Sequence, residues 1–587
     1  MTQSIKYYQI ALSVKVESPF IFASTSTISM MVDTALLRNP AGQLILPGSQ
    51  LRGVVRDLFK RAGWDDLCGS IFGGEGSGDA FDEALGGSEA FAPNRRLVYF
   101  NDLALQDDGG KEHAFTTRIA INPETGSTKT GSLQIIEMPY PMGQEVTFSG
   151  SLDFIGTQEQ ASDFQKKLKN VMPFLRSIGG AKTAGFGVVT GYDIQEIQEA
   201  GATRDANDIP PLTGEHIAID FTLSRPFLIN SKRVGSNVFE GAHTIPGGVF
   251  KGAYAAWRER CGTMDDNTST ALGIIRFRHA PAMMADATDR PRVVPASFYT
   301  HNNDSLYDYF AQGEDWQTHA EQGSISFSPD WKGEDWQLIS KCCQTPEPPG
   351  FWSTTHTKIG DDGKSDDGNL FVYRCVNPEG YKWRLIIDRN GADIGAFQQI
   401  VRDIQNHALW PLGKTNVRAV GSNGCSIDAP KVSKPGNSWR ITLQSEANLI
   451  GHNEAAGKTL DKAAAYRSYW EKAAMQYEAN ITSLDFMAIE VWQGGYLSRR
   501  FKDHNKEGYS PYLITQAGAV FILEIDGDGA AGFMDDMARG GLLPDGIKKD
   551  TRDPWEITPF ARENGFGEVA IDSLDVDTLA KFTTRRA

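Results

Sequence analysis

Two short stretches of this chain combine a turn, a helix start and a cation in an arrangement that suits an anion. The first is Leu46-Pro47-Gly48-Ser49-Gln50-Leu51-Arg52-Gly53, followed by the helical pattern Val54-Val55-Arg56-Asp57-Leu58-Phe59. The second is Ile245-Pro246-Gly247-Gly248-Val249-Phe250-Lys251-Gly252, followed by Ala253-Tyr254-Ala255-Ala256-Trp257-Arg258. Pro-Gly initiates a turn, and the helix that opens after it presents the N–H groups of its first turn beside a basic side chain. One such element alone reads as a structural turn with a solvated cation. Its recurrence argues for a repeated unit with a repeated ligand.

The elements that must position these residues recur as well. Strand-like runs at 8–16 and 217–223 lead through Ser18-Pro19-Phe20 and Arg225-Pro226-Phe227 into the two Pro-Gly elements. Each is followed by two extended arms around a polar, Gly-containing tip, at 116–133 and 355–370, with Arg118 and Lys129 on the first hairpin and Lys358 and Lys364 on the second. Glycine-rich loops then close the units: Gly179-Gly180-Ala181-Lys182-Thr183-Ala184-Gly185-Phe186-Gly187, Leu412-Gly413-Lys414-Thr415-Asn416-Val417-Arg418, and Asn564-Gly565-Phe566-Gly567. Missing side chains in such loops let backbone N–H groups approach a phosphate. Leu412-Gly413-Lys414-Thr415 is not a nucleotide-triphosphate loop, because the required first Gly is Ala408. Between these landmarks short strands alternate with amphipathic helices, for example over 159–175 and 461–477, which predicts an α+β, ferredoxin-like core of antiparallel strands with helices on one face. A polar, Pro-ended stretch at 199–212 reads as a linker, and a weaker break falls near 430–437.

The chain has 587 residues and a formal net charge of −16, from 58 Lys+Arg against 74 Asp+Glu. At about 100–200 residues per domain this predicts three or four domains. With 40% apolar residues the chain can bury cores without disulfide staples. The apolar runs fall short of the ~18 residues a membrane span requires. The first residues carry no apolar export signal, so a reduced cytoplasm is the expected compartment. The six cysteines include no C-x-x-C pair, which disfavours a structural zinc or a disulfide framework.

In their order, these segments resemble the RAMP superfamily of CRISPR-associated proteins. Residues 1–195, in a predicted domain 1–198, resemble the backbone subunit of type III effector complexes. Residues 213–580, across predicted domains 213–432 and 433–587, resemble a III-D-like large RAMP protein related to the subunit that caps the guide 5′ end. The resemblance implies tandem RRM-like RAMP domains with thumb hairpins that bind a CRISPR RNA by its backbone. It also implies a ribonucleoprotein containing target RNA, other RAMP proteins and the large polymerase/cyclase-like subunit, with no membrane.

The same resemblance implies a nuclease residue in the loop between the first strand and the Pro-Gly helix, where this sequence reads Ser29-Met30-Met31-Val32-Asp33-Thr34. Asp33 takes that place, as the catalytic and Mg2+-binding carboxylate of an endoribonuclease. A carboxylate can assist attack of a 2′-hydroxyl on the adjacent phosphate. Without the resemblance, Asp33 reads as a turn cap. Met30-Met31 stand where the family usually has glycines. The second copy is shorter, with 20 positions from Pro226 to Pro246 against 28 from Pro19 to Pro47. This predicts one nuclease site, in the first unit.

The predicted phosphate contacts are Gly48, Ser49, Arg52, Arg56, Arg118, Lys129, Lys182, Lys251, Lys358, Lys414 and Arg418. A guide-binding scaffold without chemistry is the alternative reading. A carbohydrate hydrolase using Asp361, Asp362, Asp366 and Asp367 is a third, and these acids read better as a solvated hairpin tip. The acidic net charge disfavours RNA taken alone. However, residues 165–182 hold Lys166, Lys167, Lys169, Arg176 and Lys182 with no acid, and charges beyond ~8 Å are screened at physiological salt. A local basic track is therefore compatible with an acidic chain.

Overall fold

The computed structural model describes residues 5–24, 32–73, 96–106, 114–200, 212–235, 237–312, 315–343, 345–359, 365–422, 424–430, 432, 438–451, 460–493, 511–551, 553–573 and 585–586. Three sheets share one plan, in which the first strand of a unit is inserted between two later strands, all antiparallel. Lys6–Glu17 lies between Glu145–Gly156 and Val188–Ile194. His216–Leu223 lies between Tyr381–Asp388 and Val417–Gly421, and Ser438–Leu443 between Val520–Asp526 and Val569–Ser573. Along Lys6–Glu17 the side chains alternate: Tyr8, Ile10, Leu12, Val14 and Val16 are buried, whereas Gln9, Ala11 and Lys15 are exposed. A period of two on a half-buried surface fixes the register, since a one-residue slip would turn the apolar row to water.

Helices cover the apolar face of each sheet. Gly48–Arg61 buries Leu51, Val55, Leu58 and Phe59 on one face. Gln158–Val171 buries Ala161, Phe164, Leu168 and Val171 and opens with a capping box between Thr157 and Gln160. It stops before the predicted end because Pro173 allows only a short 3-10 turn, Met172–Phe174. The corresponding helices are Gly247–Arg260 and Ile394–Asn406 in the second unit, and Lys462–Met475 and Ala530–Gly540 in the third. Each unit has its own core, centred on Phe59, Phe154 and Phe164, on Phe221, Phe250 and Trp383, and on Tyr466, Trp470 and Phe521. The fold is α+β. Among the described residues no helix is long and apolar enough to cross a membrane.

Hairpins leave the sheets at the predicted places. Phe115–Arg118 pairs with Gln134–Glu137, and Phe351–Ile359 pairs with Ser365–Val376 beside Val238–Glu240. A third, Glu490–Gln493 with Tyr512–Thr515, was not expected from the sequence. Also unexpected is a small sheet in the order Ile325–Phe327, Phe298–His301, Ser305–Asp308 and Arg585–Arg586, which joins an insertion in the second unit to the far end of the chain.

Candidate nucleic-acid interface

The two Pro-Gly elements have the same local geometry. Pro47 and Pro246 set extended N-caps at φ −61° and −59°. The following glycines press against the next strand: a Cβ on Gly48 would lie 2.2 Å from the Phe100 carbonyl oxygen, and one on Gly247 1.8 Å from that of Phe277. Only glycine fits such an approach. The amides behind them are already used. Gly48 N–H donates to Asp102 Oδ1 at 2.8 Å, and Gly247 N–H to His279 Nδ1 at 3.2 Å. This corrects the expectation for Gly48, whose buried N–H meets a carboxylate rather than a phosphate. Ser49, beside it, is exposed.

The cations that follow diverge. Lys251 is buried, and its Nζ donates to the carbonyls of Ile275 at 3.0 Å and Glu563 at 3.4 Å. Burial lowers its pKa to about 8. This corrects the second expectation, because the third unit covers Lys251 and uses it as a structural tie. Gly565 closes the same contact at φ +97°, where an added Cβ would meet His279 Nδ1 at 2.3 Å. Arg52, by contrast, lines a cleft of about 570 Å³ between the first two units, together with Arg56, Arg96 and Arg260. Burial, with Arg96 and Arg56 nearby, lowers Arg52 to about 10.

Asp33 is exposed at the foot of the first hairpin. Its N–H donates to the Ile135 carbonyl at 3.0 Å, and its Oδ2 accepts the Ile135 N–H at 2.7 Å. One carboxylate edge is thus fixed to the hairpin backbone rather than to its own turn. Residues 25–31 before it, including Met30 and Met31, lie outside the described residues. The nearest acid in the hairpin, Glu137, is buried and accepts from Arg38 Nη1 at 3.2 Å and from Leu36 N–H at 2.7 Å. Among the described residues no group of three or more His, Cys, Asp or Glu is arranged to hold a metal ion.

The remaining predicted contacts are spread over both units. The Arg118 guanidinium lies 5.3 Å from the Phe186 ring centroid, joining the hairpin to the glycine loop. Lys129 at the hairpin tip and Lys182 in the loop are exposed. Lys414 sits 4.4 Å from the centroid of Phe239 and 6.0 Å from that of Tyr373. Arg418 lines a second cleft between the units, with Asn101, Asp102 and Arg225. The side chains of Lys358, Asp366 and Asp367 and the whole of Lys364, Asp361 and Asp362 lie outside the described part of the structure. The basic run at 165–182 is partly neutralised, with Lys167 paired to Asp163 and Lys169 to Glu196 at 2.6 Å.

Sequence reasoning missed Arg96 and Arg260. Arg260 had a signal: with Gly252, Ala253, Ala256 and Trp257 it forms one helical face, small at one end and cationic at the other. Arg96 had none: it lies 5.3 Å from the ring centroid of its near neighbour Tyr99, and only tertiary packing brings it to the cleft that Arg260 also lines. A row of rings on the second hairpin was also missed. His356 and Phe371 are cross-strand partners with centroids 5.5 Å apart, and Tyr373 follows at 5.1 Å from Phe371.

Residues 14–190 match the family model described as the RAMP superfamily. The resemblance read from the sequence holds for that unit. No curated protein matches the chain. Among solved structures, a chain of a type III-B Cmr-beta complex bound to cognate target RNA is similar over 33% of this chain and 60% of its own length, at 16% identity and TM-score 0.23. A chain from the same kind of complex, bound to cognate target RNA and AMPPnP, is similar over 63% of this chain and 99% of its own, at 10% identity and TM-score 0.32.

Proposed function

We propose that this chain is an RNA-binding subunit of a type III CRISPR effector ribonucleoprotein, and that its first unit cuts target RNA paired to the guide. The observation that carries the reading is the coincidence of a RAMP-superfamily match over 14–190 with an exposed carboxylate, Asp33, hinged to the first hairpin by the Ile135 N–H. The partners are a CRISPR RNA, a target RNA, other RAMP subunits and the large polymerase/cyclase-like subunit, in a cytoplasmic particle.

Asp33 Oδ2 is oriented by its hydrogen bond, which leaves Oδ1 to face solvent and RNA. A carboxylate so placed accepts a proton from a 2′-hydroxyl that attacks the neighbouring phosphate. One free carboxylate oxygen suits a Mg2+ whose other ligands are water and phosphate oxygens, the usual pattern for that ion. Such an ion would supply charge stabilisation at the phosphate. Glu137 cannot assist, because Arg38 and Leu36 already occupy it.

The test is target cleavage by the assembled particle carrying Asp33→Ala. We expect cleavage at the corresponding phosphate to fall by 10²-fold or more, within the usual range for losing a general base, while guide content stays unchanged. Undiminished cleavage removes Asp33 from the role. The same hydrogen bond favours a second reading, a guide-binding scaffold in which Asp33 merely secures the hairpin. In that case Asp33→Ala loosens the hairpin and no target is cut by the unaltered particle either.

A further inference from the structure

The segment that carries Asp33 lies alongside the strand Gln134–Glu137 of the first hairpin, parallel to it, with Thr34 bridged to Ile136. The Thr34 N–H donates to the Ile135 carbonyl at 3.2 Å, the Glu137 N–H donates to the Thr34 carbonyl at 3.0 Å, and Gln134 Nε2 donates to Thr34 Oγ1 at 3.1 Å. Backbone bonds of this kind do not choose a register, since every residue offers the same donor and acceptor. A side chain must make that choice.

Glu137 makes it. Its side chain is 3% exposed, its Oε2 accepts the Leu36 N–H at 2.7 Å and Arg38 Nη1 at 3.2 Å, and its Oε1 accepts Arg38 Nη2. A carboxylate out of water is tolerated only where it is paired and hydrogen-bonded, and bonds to an ionised group are about twice as strong as neutral ones. Glu137 is the one acid in its strand, so a slipped register leaves it without these partners. Arg38 carries the hold further: its carbonyl accepts Trp352 Nε1–H at 2.9 Å from the strand Phe351–Ile359 of the second unit. A continuous path of bonds runs from Trp352 through Arg38 and Glu137 to Thr34, the residue next to Asp33.

We propose that Glu137 is a positioning residue for Asp33, and that the second unit shares in the positioning through Trp352. Buried as it is, Glu137 does not reach a substrate; it fixes Ile135 as the residue whose N–H holds the Asp33 carboxylate, and so sets where that carboxylate stands. A displacement of about 1 Å at a reacting group can cost about 10²-fold in rate. The inference rests on the reading of the first unit as the one that cuts target RNA.

The test is single-turnover cleavage of a guide-complementary target RNA by the assembled particle, with target affinity, guide content and melting temperature measured alongside. Glu137→Gln keeps an oxygen for the Leu36 N–H and gives up the charge that binds Arg38. We expect the cleavage rate to fall about tenfold with target affinity unchanged. Arg38→Gln should lose a similar amount, and the double substitution no more than either, because all three remove one contact. Trp352→Phe keeps a ring and removes only the indole N–H, so it probes the link without unpairing a charge. It should slow cleavage about threefold, in keeping with one neutral hydrogen bond. Arg467→Gln, in the third unit and paired with Glu471, should change nothing. Amide exchange at Asp33 in the full chain reads the hold without cleavage, and should be about tenfold faster in Glu137→Gln. Faster exchange with an unchanged cleavage rate overturns the positioning role and leaves Glu137 purely structural. A slower Glu137→Gln particle that also melts early, with Trp352→Phe at full rate, overturns it in favour of plain instability. An unaltered particle that cuts no target overturns the nuclease reading itself, and this inference with it.

Discussion

The joint between the first and second units and the joint between the second and third are built from matching parts and finished differently. Both bring a Pro-Gly helix of one unit beside the glycine loop of the next. At the first joint Arg225 ties Asn101 to the Thr415 carbonyl at 3.0 and 2.6 Å, Trp410 packs on Tyr99 with centroids 4.4 Å apart, and beside them the arginine cleft stays open. At the second joint, among the described residues, Arg276, Arg278 and Arg290 are each tied to an acceptor. Arg278 binds Asp388 at 2.7 Å and Glu568 at 3.3 Å, Arg290 grips Glu568 at 2.6 and 2.9 Å, and Arg276 donates to the carbonyls of Arg562 and Arg539. A repeated motif therefore does not imply a repeated role. Arg52 and Lys251 occupy the same place in their motifs, yet one lines an open cleft and the other is sealed under a neighbouring unit.

The strongest way to break this contrast is to remove the acid at the closed joint. Glu568→Gln leaves Arg290 and Arg278 short of a buried carboxylate, and we expect a loss of about 3–5 kcal/mol in urea unfolding. Arg52→Gln at the open joint should leave stability within about 0.5 kcal/mol of the unaltered chain. Equal losses would mean that the first joint is also ion-paired in solution. Arg290 and Arg278 hold the Glu568 carboxyl well below its ordinary range. Its contribution is therefore full above about pH 4.5 and is lost as pH falls.

Lys251 gives the next largest effect, read against pH. Below about pH 8 the ammonium is charged in both the folded and unfolded chain, so its burial penalty is constant. Between about 8 and the ordinary 10.5 the unfolded chain binds the proton more tightly, so stability rises with pH. We expect the unaltered chain to gain about 3 kcal/mol relative to Lys251→Met across that window, at 1.36 kcal/mol per pK unit. Arg52→Met should leave the window largely flat, since Arg52 begins to titrate near 10. A flat curve for Lys251→Met as well would show that Lys251 is not buried in solution.

The smallest effect separates the two helix starts. Asp102→Ala unpairs the Gly48 N–H and should cost about 1 kcal/mol in thermal unfolding. The second element needs no acid, because the Gly247 N–H donates to His279. His279→Ala should therefore weaken the second element without touching the first. Backbone amide exchange at Gly48 and Gly247 reads both.

Much of the fold was legible because it rests on local rules. Alternating burial along Lys6–Glu17, the capping box at Thr157 and the glycine loops all speak in short sequence windows. What sequence windows could not show was contact between units. Lys251 and Arg52 look alike until the Glu563 carbonyl arrives from more than three hundred residues away. Gly48 reads as a phosphate cradle until the Phe100 carbonyl is seen 2.2 Å from where its Cβ would be. Arg96 and Arg260 became candidates only when folding set them across a common space. Asp33 was singled out only through the family pattern of its loop, and its bond to Ile135 is an anchor that the sequence does not display.

The sharing of Glu568 between Arg278 and Arg290 also sets a timetable. During synthesis the first unit can close its own sheet as soon as Gln198–Glu199 emerges, for all the described strands of that sheet are by then outside the ribosome. The second unit cannot finish in this way. Its Arg290 waits for a carboxylate, and its Lys251 for a carbonyl, that are translated near the end of the third. Domains commonly fold in order of emergence, but here the last two must mature together, which makes the second unit the part of the nascent chain most in need of protection while the third is still being made.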